Sequence, residues 1–159
     1  MNLHNKNELT LQVLKKFRII YGLVRQHFSE IEKTCGVTGS QLWIIQEVSN
    51  NPGIGVSLLA EHLSIHQSTC SLLVEKLVNR KLILKERSTE DQRRVGLYLS
   101  DEAIQLLKNA PGPAEGLLPE ALGALEAEAI KSLNGSLEKL IIQLKNKDDK
   151  LANQSLSDL

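Results

Sequence analysis

Apolar residues recur every three or four positions along almost all of this 159-residue chain, and they alternate only in residues 83–99. Spacing of three and four marks one face of an α-helix, whereas alternation marks a half-buried β-strand. Aromatic residues make up only 3% of the sequence, so Leu, Ile and Val must fill the core, which favours helices over packed sheets. The sequence therefore predicts one mainly α domain, residues 1–159, with a small β-hairpin.

Long amphipathic helices are predicted at both ends of the chain. Residues 8–33 contain no proline and form a broad apolar face, comprising Leu9, Val13, Leu14, Phe17, Ile19, Ile20, Leu23, Val24, Phe28 and Ile31. Residues 113–146 should contain a final helix from about Leu122 to Lys145 with a similar apolar seam, and Asn134-Gly135 is a possible break in it. One small domain cannot bury faces this broad, so 8–33 and 113–146 are predicted to be dimerisation helices.

The next helix has a clear start signal. Thr38 can serve as the N-cap, Gln41 completes a capping box, and Val37 with Leu42 can form a hydrophobic staple. Asn50-Asn51-Pro52-Gly53 should end this helix.

Two further helices are predicted close together, over about 57–63 and 66–80, joined by the tight connection Ser64-Ile65. The second turns one stripe inward, formed by Cys70, Leu73, Val74 and Leu77. Small polar residues occupy the start of its other side. A short helix, a three-residue turn and a longer helix of this kind are the outline of a helix-turn-helix.

Residues 83–87 and 95–99 are the two predicted strands, and residues 88–94 form a charged tip too long for a two-residue turn. Beside a helix-turn-helix, such a hairpin is typical of a wing. Ser100 should cap another helix that runs to about Asn109, before the break at Pro111-Gly112-Pro113. The winged helix-turn-helix lobe is thus predicted over 36–100.

The charge distribution favours a localised anionic partner. Residues 76–94 contain seven basic and three acidic side chains, whereas residues 101–159 contain ten acidic side chains and six lysines.

The chain resembles the MarR (multiple-antibiotic-resistance regulator) family. The most specific part of the resemblance is Asp91-Gln92-Arg93-Arg94-Val95-Gly96-Leu97-Tyr98-Leu99-Ser100, which fits the wing signature of the family. Residues 58–65 and 68–77 are similar to its two DNA-binding helices. Three residues depart from the family pattern: Leu72 stands where many relatives carry Arg, His66 where a Ser or Asp cap is common, and Lys81 where Gly usually ends the helix. A left-handed Lys81 would cost on the order of 1–2 kcal/mol.

The predicted site residues fall into three groups. Base-facing side chains are Gln67, Ser68, Ser71 and Leu72, because amides and hydroxyls read donor and acceptor patterns in the major groove. Phosphate-contacting side chains are Thr69, Lys76, Arg80, Lys85 and Arg87. The wing residues are Asp91, Arg93 and Arg94, with Asp91 expected to pair with Arg93 and fix its direction.

These features predict a sequence-specific DNA-binding transcriptional regulator, acting as a homodimer on a pseudo-palindromic operator. The resemblance further implies a ligand-responsive repressor, whose effector would be a small aromatic or phenolic anion bound between the dimer helices and the DNA-binding lobe. The alternative is a dimeric protein-interaction module that has lost DNA binding, an idea that Leu72 on the outer face would fit.

Other classes have little support in the residues. No catalytic triad, phosphate loop or paired carboxylates appear, and no cofactor is expected. Cys35 and Cys70 lie outside any metal-type spacing, and the pair His62 and His66 straddles a turn, so no metal site is predicted. A thiol enzyme using Cys35 lacks partner residues. The polar N-terminus is no signal peptide and no segment could span a membrane, so a cytoplasmic protein is expected.

Overall fold

The computed structural model describes residues 3–91 and 93–144. Within them, seven helices and one hairpin follow in the order α1 (Leu3–Cys35), α2 (Gly39–Asn50), α3 (Val56–Leu63), α4 (Gln67–Asn79), β1 (Ile83–Arg87), β2 (Val95–Leu99), α5 (Asp101–Asn109), α6 (Leu117–Gly123) and α7 (Ala127–Gln143). The predicted fold class, mainly α with a small hairpin, is therefore confirmed. Gln92, the predicted helix end at Lys145, the boundary at residue 146 and the polar tail from Asp148 lie outside the described residues.

Helix α1 is longer than predicted and joins the core only near its C-terminal end. Ile31 and His27 are buried, whereas the described side chains before Val24 are exposed. His27 is held by a hydrogen bond of 3.0 Å between its Nε2 and the carbonyl oxygen of Pro113. A carbonyl can only accept, so Nε2 carries the proton. This bond fixes α1 against the segment that follows α5.

The predicted start of α2 is confirmed in detail. The backbone N–H of Gln41 donates to Thr38 Oγ1 at 3.3 Å, and the N–H of Thr38 donates to Gln41 Oε1 at 3.1 Å, which closes a capping box. Val37 and Leu42 are both buried, in keeping with the proposed staple. The helix ends at Asn50, as the Asn-Asn-Pro-Gly sequence indicates.

The lobe core lies between α2, α3, α4 and the hairpin. The strands pair antiparallel with Ile83 opposite Leu99 and Arg87 opposite Val95, at the predicted bounds. Fully buried side chains from each of these elements meet there, including Leu42, Ile45, Leu59, Val74, Leu77, Ile83 and Leu97. Ser100 Oγ accepts from the N–H of Ala103 at 3.2 Å, so the predicted cap of α5 is also confirmed.

The predicted final helix is wrong at its start. Leu122 belongs to α6, which ends at Gly123, and α7 begins only at Ala127 after an extended Glu126. Glycine is a poor helix former, and its weak propensity accounts for the end of α6 there. Gly135 does not break α7, which continues to Gln143.

Candidate nucleic-acid interface

The two faces of α4 differ sharply. Cys70, Leu73, Val74 and Leu77 are buried, as predicted from the sequence. On the other side, Gln67, Ser68 and Leu72 are exposed and Ser71 is half-buried. The first two turns of α4 therefore present uncharged side chains outward from a rigid, well-packed helix.

A tight turn sets the direction in which α4 leaves α3. Ser64 adopts the left-handed conformation at φ 54°, and the N–H of Ile65 donates to the carbonyl of Ala60 at 3.1 Å. His66 occupies the N-cap of α4 without a side-chain capping bond. Because α3 and α4 pack on each other and both contribute to the buried core, through Leu59, Leu63 and Cys70 among others, this turn gives them the arrangement of a helix-turn-helix.

Strand β1 follows α4 directly and stays beside its exposed face. Lys81 adopts the left-handed conformation, at φ 60°, which is the case whose cost was given above from the sequence. The N–H of Leu82 donates to the carbonyl of Leu77 at 2.9 Å. The ammonium of Lys85 forms an ion pair with the Glu75 carboxylate, which joins β1 to the outer side of α4. The hairpin and the exposed face of α4 therefore belong to one surface.

The tip of the hairpin is organised by its own short side chains. Ser88 Oγ accepts from the N–H groups of Glu90 at 3.2 Å and Asp91 at 3.3 Å. Asp91 Oδ1 accepts from the backbone N–H of Arg93 at 3.0 Å, and its Oδ2 lies 3.8 Å from Arg94 Nε. The predicted pairing of Asp91 with the Arg93 side chain is therefore corrected: Asp91 fixes the backbone at Arg93 and pairs with the neighbouring guanidinium. The backbone N–H of Arg94 also donates to the carbonyl oxygen of Asp91 at 2.9 Å, which keeps Arg94 close to Asp91.

The base of the hairpin is anchored to the segment after α2. Gly53 donates its N–H to the carbonyl of Leu97 at 2.8 Å, and Leu97 donates to the carbonyl of Ile54 at 3.0 Å. Gly53 has φ 87°, a conformation that favours glycine, and a Cβ at Gly96 would lie 3.0 Å from the Gly53 carbonyl oxygen. Leu97 is fully buried beneath these bonds. The tip thus projects from a fixed base.

The predicted phosphate-contacting residues and the basic residues of the wing divide into two sets. Lys76, Arg87, Arg93 and Arg94 are exposed, and Thr69 is half-buried. Arg80 instead donates from Nη1 to the carbonyl oxygen of Gly36 at 2.7 Å, and Lys85 is paired with Glu75. These two cations already have protein partners, which the sequence did not indicate.

A cavity of about 140 Å³ lies between α1, α2, the α3–α4 turn and the start of α6. Its lining is mainly apolar and includes Phe28, Trp43, Leu63, Ile65, Leu118 and Pro119. Glu115 is the one charged side chain among the described residues that line it. The cavity has the size of a site for a single aromatic ring, since an engineered apolar cavity of roughly 150 Å³ binds benzene.

The thiols lack the environment of a reactive cysteine. Burial raises the pKa of Cys35, and it raises the pKa of the buried Cys70 to about 11. Raised values suppress the thiolate, which is the nucleophilic form. Within residues 3–91 and 93–144, no group of three His, Cys, Asp or Glu side chains is placed to hold a metal. None of the described helices is long and apolar enough to cross a membrane.

A helix-turn-helix followed by an anchored, charged hairpin defines a winged helix-turn-helix protein. A family model described as MarR family matches residues 36–94, which cover α2, α3, α4, β1 and the wing tip. Over these residues the chain is similar to the MarR family, as the resemblance indicated.

Named relatives and one solved structure are also similar to this chain. A Thauera aromatica protein whose name ties it to regulation of the hcr operon is 32% identical over 83 residues, which are 52% of this chain and 50% of that protein. The transcriptional repressor MdtR of Bacillus subtilis is 24% identical over a region that covers 60% of this chain and 62% of MdtR. The chain thus spans about half to three fifths of the length of these curated relatives. They are named as regulators rather than enzymes, which agrees with the prediction of a protein without catalytic activity.

A structure of a Staphylococcus aureus MepR variant bound to oligodeoxyribonucleotide has the same fold. Its TM-score is 0.52 with 20% identity, over 84% of this chain and 98% of that one.

Proposed function

We propose that this protein is a DNA-binding transcriptional repressor that acts as a homodimer. The observation that carries the proposal is the Glu75–Lys85 ion pair, because it joins the exposed face of α4 to the wing in one continuous surface. Such a surface suits a helix in the major groove with a wing on the adjacent backbone. The name of MdtR, a transcriptional repressor, supports repression, and the oligodeoxyribonucleotide bound to MepR supports DNA binding.

Exposed basic side chains would supply the contacts to phosphate. Lys76 lies on α4, Arg87 ends β1, and Arg93 and Arg94 form the tip, so four exposed cations border one surface. Half-buried Thr69 adds a hydroxyl near the start of α4. Phosphate contacts position a protein on DNA without reading sequence. Sequence discrimination would then come from Gln67, Ser68, Ser71 and Leu72.

The dimer is inferred from the terminal helices. Leu11, Ile19 and Ile142 are each about 60% exposed, and none of the described residues of α7 is buried. Large apolar faces of this kind mark interaction surfaces, and obligate homodimers bury more than about 2,000 Å². A second copy that packs α1 and α7 against their equivalents would cover both faces. Regions 8–33 and 113–146 thus remain the proposed dimerisation segments.

A two-fold dimer presents two copies of α4 and two wings, so it should prefer a pseudo-palindromic site with half-sites about one helical turn apart. The test is a salt titration of binding to the upstream region of its own gene and to scrambled DNA of equal length. We expect tighter binding to the first, and a logarithmic salt slope of about −0.9 per neutralised phosphate.

The matched variants are Arg87→Ala and Lys108→Ala, which remove exposed cations from the wing and from α5. Only Arg87→Ala should reduce the salt slope, by about one phosphate. Equal and weak binding to both DNAs at every salt concentration would favour the protein-interaction module instead. Sedimentation at low micromolar concentration that detected a folded monomer would contradict the dimer.

The cavity beside Phe28 and Trp43 is proposed as the effector site. Its apolar lining suits one aromatic ring, but a phenolate or carboxylate would meet Glu115 without a cation among the described lining residues. We therefore expect neutral phenol or cationic benzylamine to release DNA at lower concentration than benzoate. Glu115→Gln should remove the difference among the three probes, whereas Glu115→Asp should keep it. Equal potency of benzoate would contradict this assignment.

A further inference from the structure

Leu72 is the most exposed large hydrophobic side chain among the described residues, at 67%. A single surface leucine is ordinary, so exposure alone says little. Its position is informative, because it lies in the second turn of α4, one turn after Ser68 and one turn before Lys76. It therefore lies in the part of α4 that enters the major groove of DNA under the proposed function.

The neighbours of Leu72 restrict what this part of the helix can read. Gln67, Ser68 and Ser71 precede it in α4 and are exposed or half-buried, and the first two turns of α4 contain no arginine or lysine. Guanine is most often read by a bidentate Arg or Lys, adenine by Gln or Asn, and thymine through its C5 methyl group by apolar side chains. Gln67 therefore suits adenine and Leu72 suits thymine, whereas the two serines can contact either kind of base pair.

We propose that Leu72 reads a thymine by packing its isobutyl group on the C5 methyl in the major groove. The proposal rests on the proposed function, since it requires α4 to enter that groove. The contact removes apolar surface of the leucine and of the methyl group from water, and this burial is what would favour thymine over the other bases. Cytosine and adenine have no methyl at that position, so only thymine, or a 5-methylated cytosine, offers the partner surface.

The charge around Leu72 favours DNA over an apolar protein groove as its partner. Lys76 follows it on the same face, the nearby Glu75 carboxylate is paired with Lys85, and the wing beside α4 carries exposed Arg87, Arg93 and Arg94. A cationic border suits a polyanion, whereas protein interface cores are depleted of charged side chains.

The experiment begins with selection of bound duplexes from a random-sequence pool by the full chain. Each thymine of the selected duplex is then replaced singly by deoxyuridine, which keeps base pairing and removes only the methyl group. At one position in each half-site, this replacement should weaken binding of the duplex about fourfold, which is equivalent to the roughly 0.8 kcal/mol of one buried methylene-sized group. In Leu72→Ala, the same replacement should have no effect.

Leu58→Ala is the matched control, because Leu58 is an exposed leucine on the preceding helix. It should keep the deoxyuridine effect at the same position. Retention of that effect in Leu72→Ala, or its absence in the parent protein, would overturn the assignment of Leu72. Failure to enrich any sequence would instead overturn the proposed DNA-binding function, so the two failures are distinguishable.

Discussion

The guanidinium of Arg80 donates a hydrogen bond from Nη1 to the carbonyl oxygen of Gly36, at 2.7 Å. Gly36 follows the last residue of α1, and Arg80 follows the last residue of α4. Gly36 has φ 66°, and its carbonyl belongs to the turn that leads into α2. One side chain therefore ties the end of α4 to the end of α1, the proposed dimerisation helix, and a change in one helix could reach the other through this connection.

Arg80→Ala should destabilise the fold by about 1 kcal/mol, the usual net contribution of such a hydrogen bond. Urea denaturation at fixed protein concentration measures it, because dimer stability depends on concentration. Arg87→Ala removes an exposed arginine of β1 and should leave the unfolding midpoint unchanged. If Arg80→Ala instead reduced the salt slope of DNA binding and left stability intact, Arg80 would be a phosphate contact, as first predicted from the sequence.

Gly39→Ala tests the junction of α1 and α2. A Cβ at Gly39 would lie 2.3 Å from Phe28 Cδ1, so the ring would have to move, at a cost of about 1–3 kcal/mol. The same ring lines the cavity, and its displacement should also weaken binding of aromatic probes there. Thermal unfolding and probe titration measure the two effects.

Two variants make the Gly39 result specific. Gly123→Ala adds a Cβ with nothing within 4 Å and should not lower stability. Adding Phe28→Leu to Gly39→Ala should return part of the lost stability, because the smaller side chain leaves room. A Gly39→Ala protein as stable as the parent would show that Phe28 moves away at little cost.

The elements that the sequence predicted correctly are those with local signals. Strand β2 follows from the alternation of Val95, Leu97 and Leu99. The start of α2 follows from Thr38 and Gln41, whose side chains bond within one turn. The inward stripe of α4 follows from helical spacing alone. In each case the decisive interaction is made inside the element, so the pattern of residues is enough.

The features that the sequence did not predict depend on contacts between residues distant in sequence, or on a local helix propensity that opposes the apolar spacing. Arg80 and Gly36 are 44 positions apart, and no pattern links them. The cavity is built from four separate segments, so its shape depends on how they pack. The α6–α7 break depends on the weak helix propensity of Gly123 against an apolar spacing that continues through it.

Cys70 should resist alkylation. Burial raises the pKa of its thiol to about 11, so iodoacetamide at neutral pH should modify it only after unfolding. The folded state keeps this proton to a higher pH than the unfolded chain, and its contribution to stability is therefore present below about pH 9 and is lost towards pH 11. Mass spectrometry of the labelled protein tests the first statement, and urea denaturation across this pH range tests the second. Labelling of native Cys70 at the rate of free cysteine would contradict the raised pKa.

The wing tip allows the two roles of Asp91 to be separated. Its Oδ1 accepts from the backbone N–H of Arg93 at 3.0 Å, whereas its Oδ2 lies near Arg94 Nε at 3.8 Å. Asp91→Asn keeps an oxygen that can accept the backbone bond and removes the charge. It should therefore bind DNA within about twofold of the parent, or more tightly, because an exposed ion pair is worth only about 0–1 kcal/mol and a negative charge is lost beside phosphate.

Asp91→Ala removes the backbone bond as well. The tip must then be ordered when DNA binds, so affinity should fall about three- to tenfold, which corresponds to one hydrogen bond of roughly 0.5–1.5 kcal/mol. Ser88→Ala, which loses the acceptor for Glu90 and Asp91, should weaken binding in the same direction. Circular dichroism checks that the fold survives, and fluorescence anisotropy with labelled DNA measures affinity. Equal losses in Asp91→Asn and Asp91→Ala would mean that the charge of Asp91, rather than the turn it closes, sets the position of the wing.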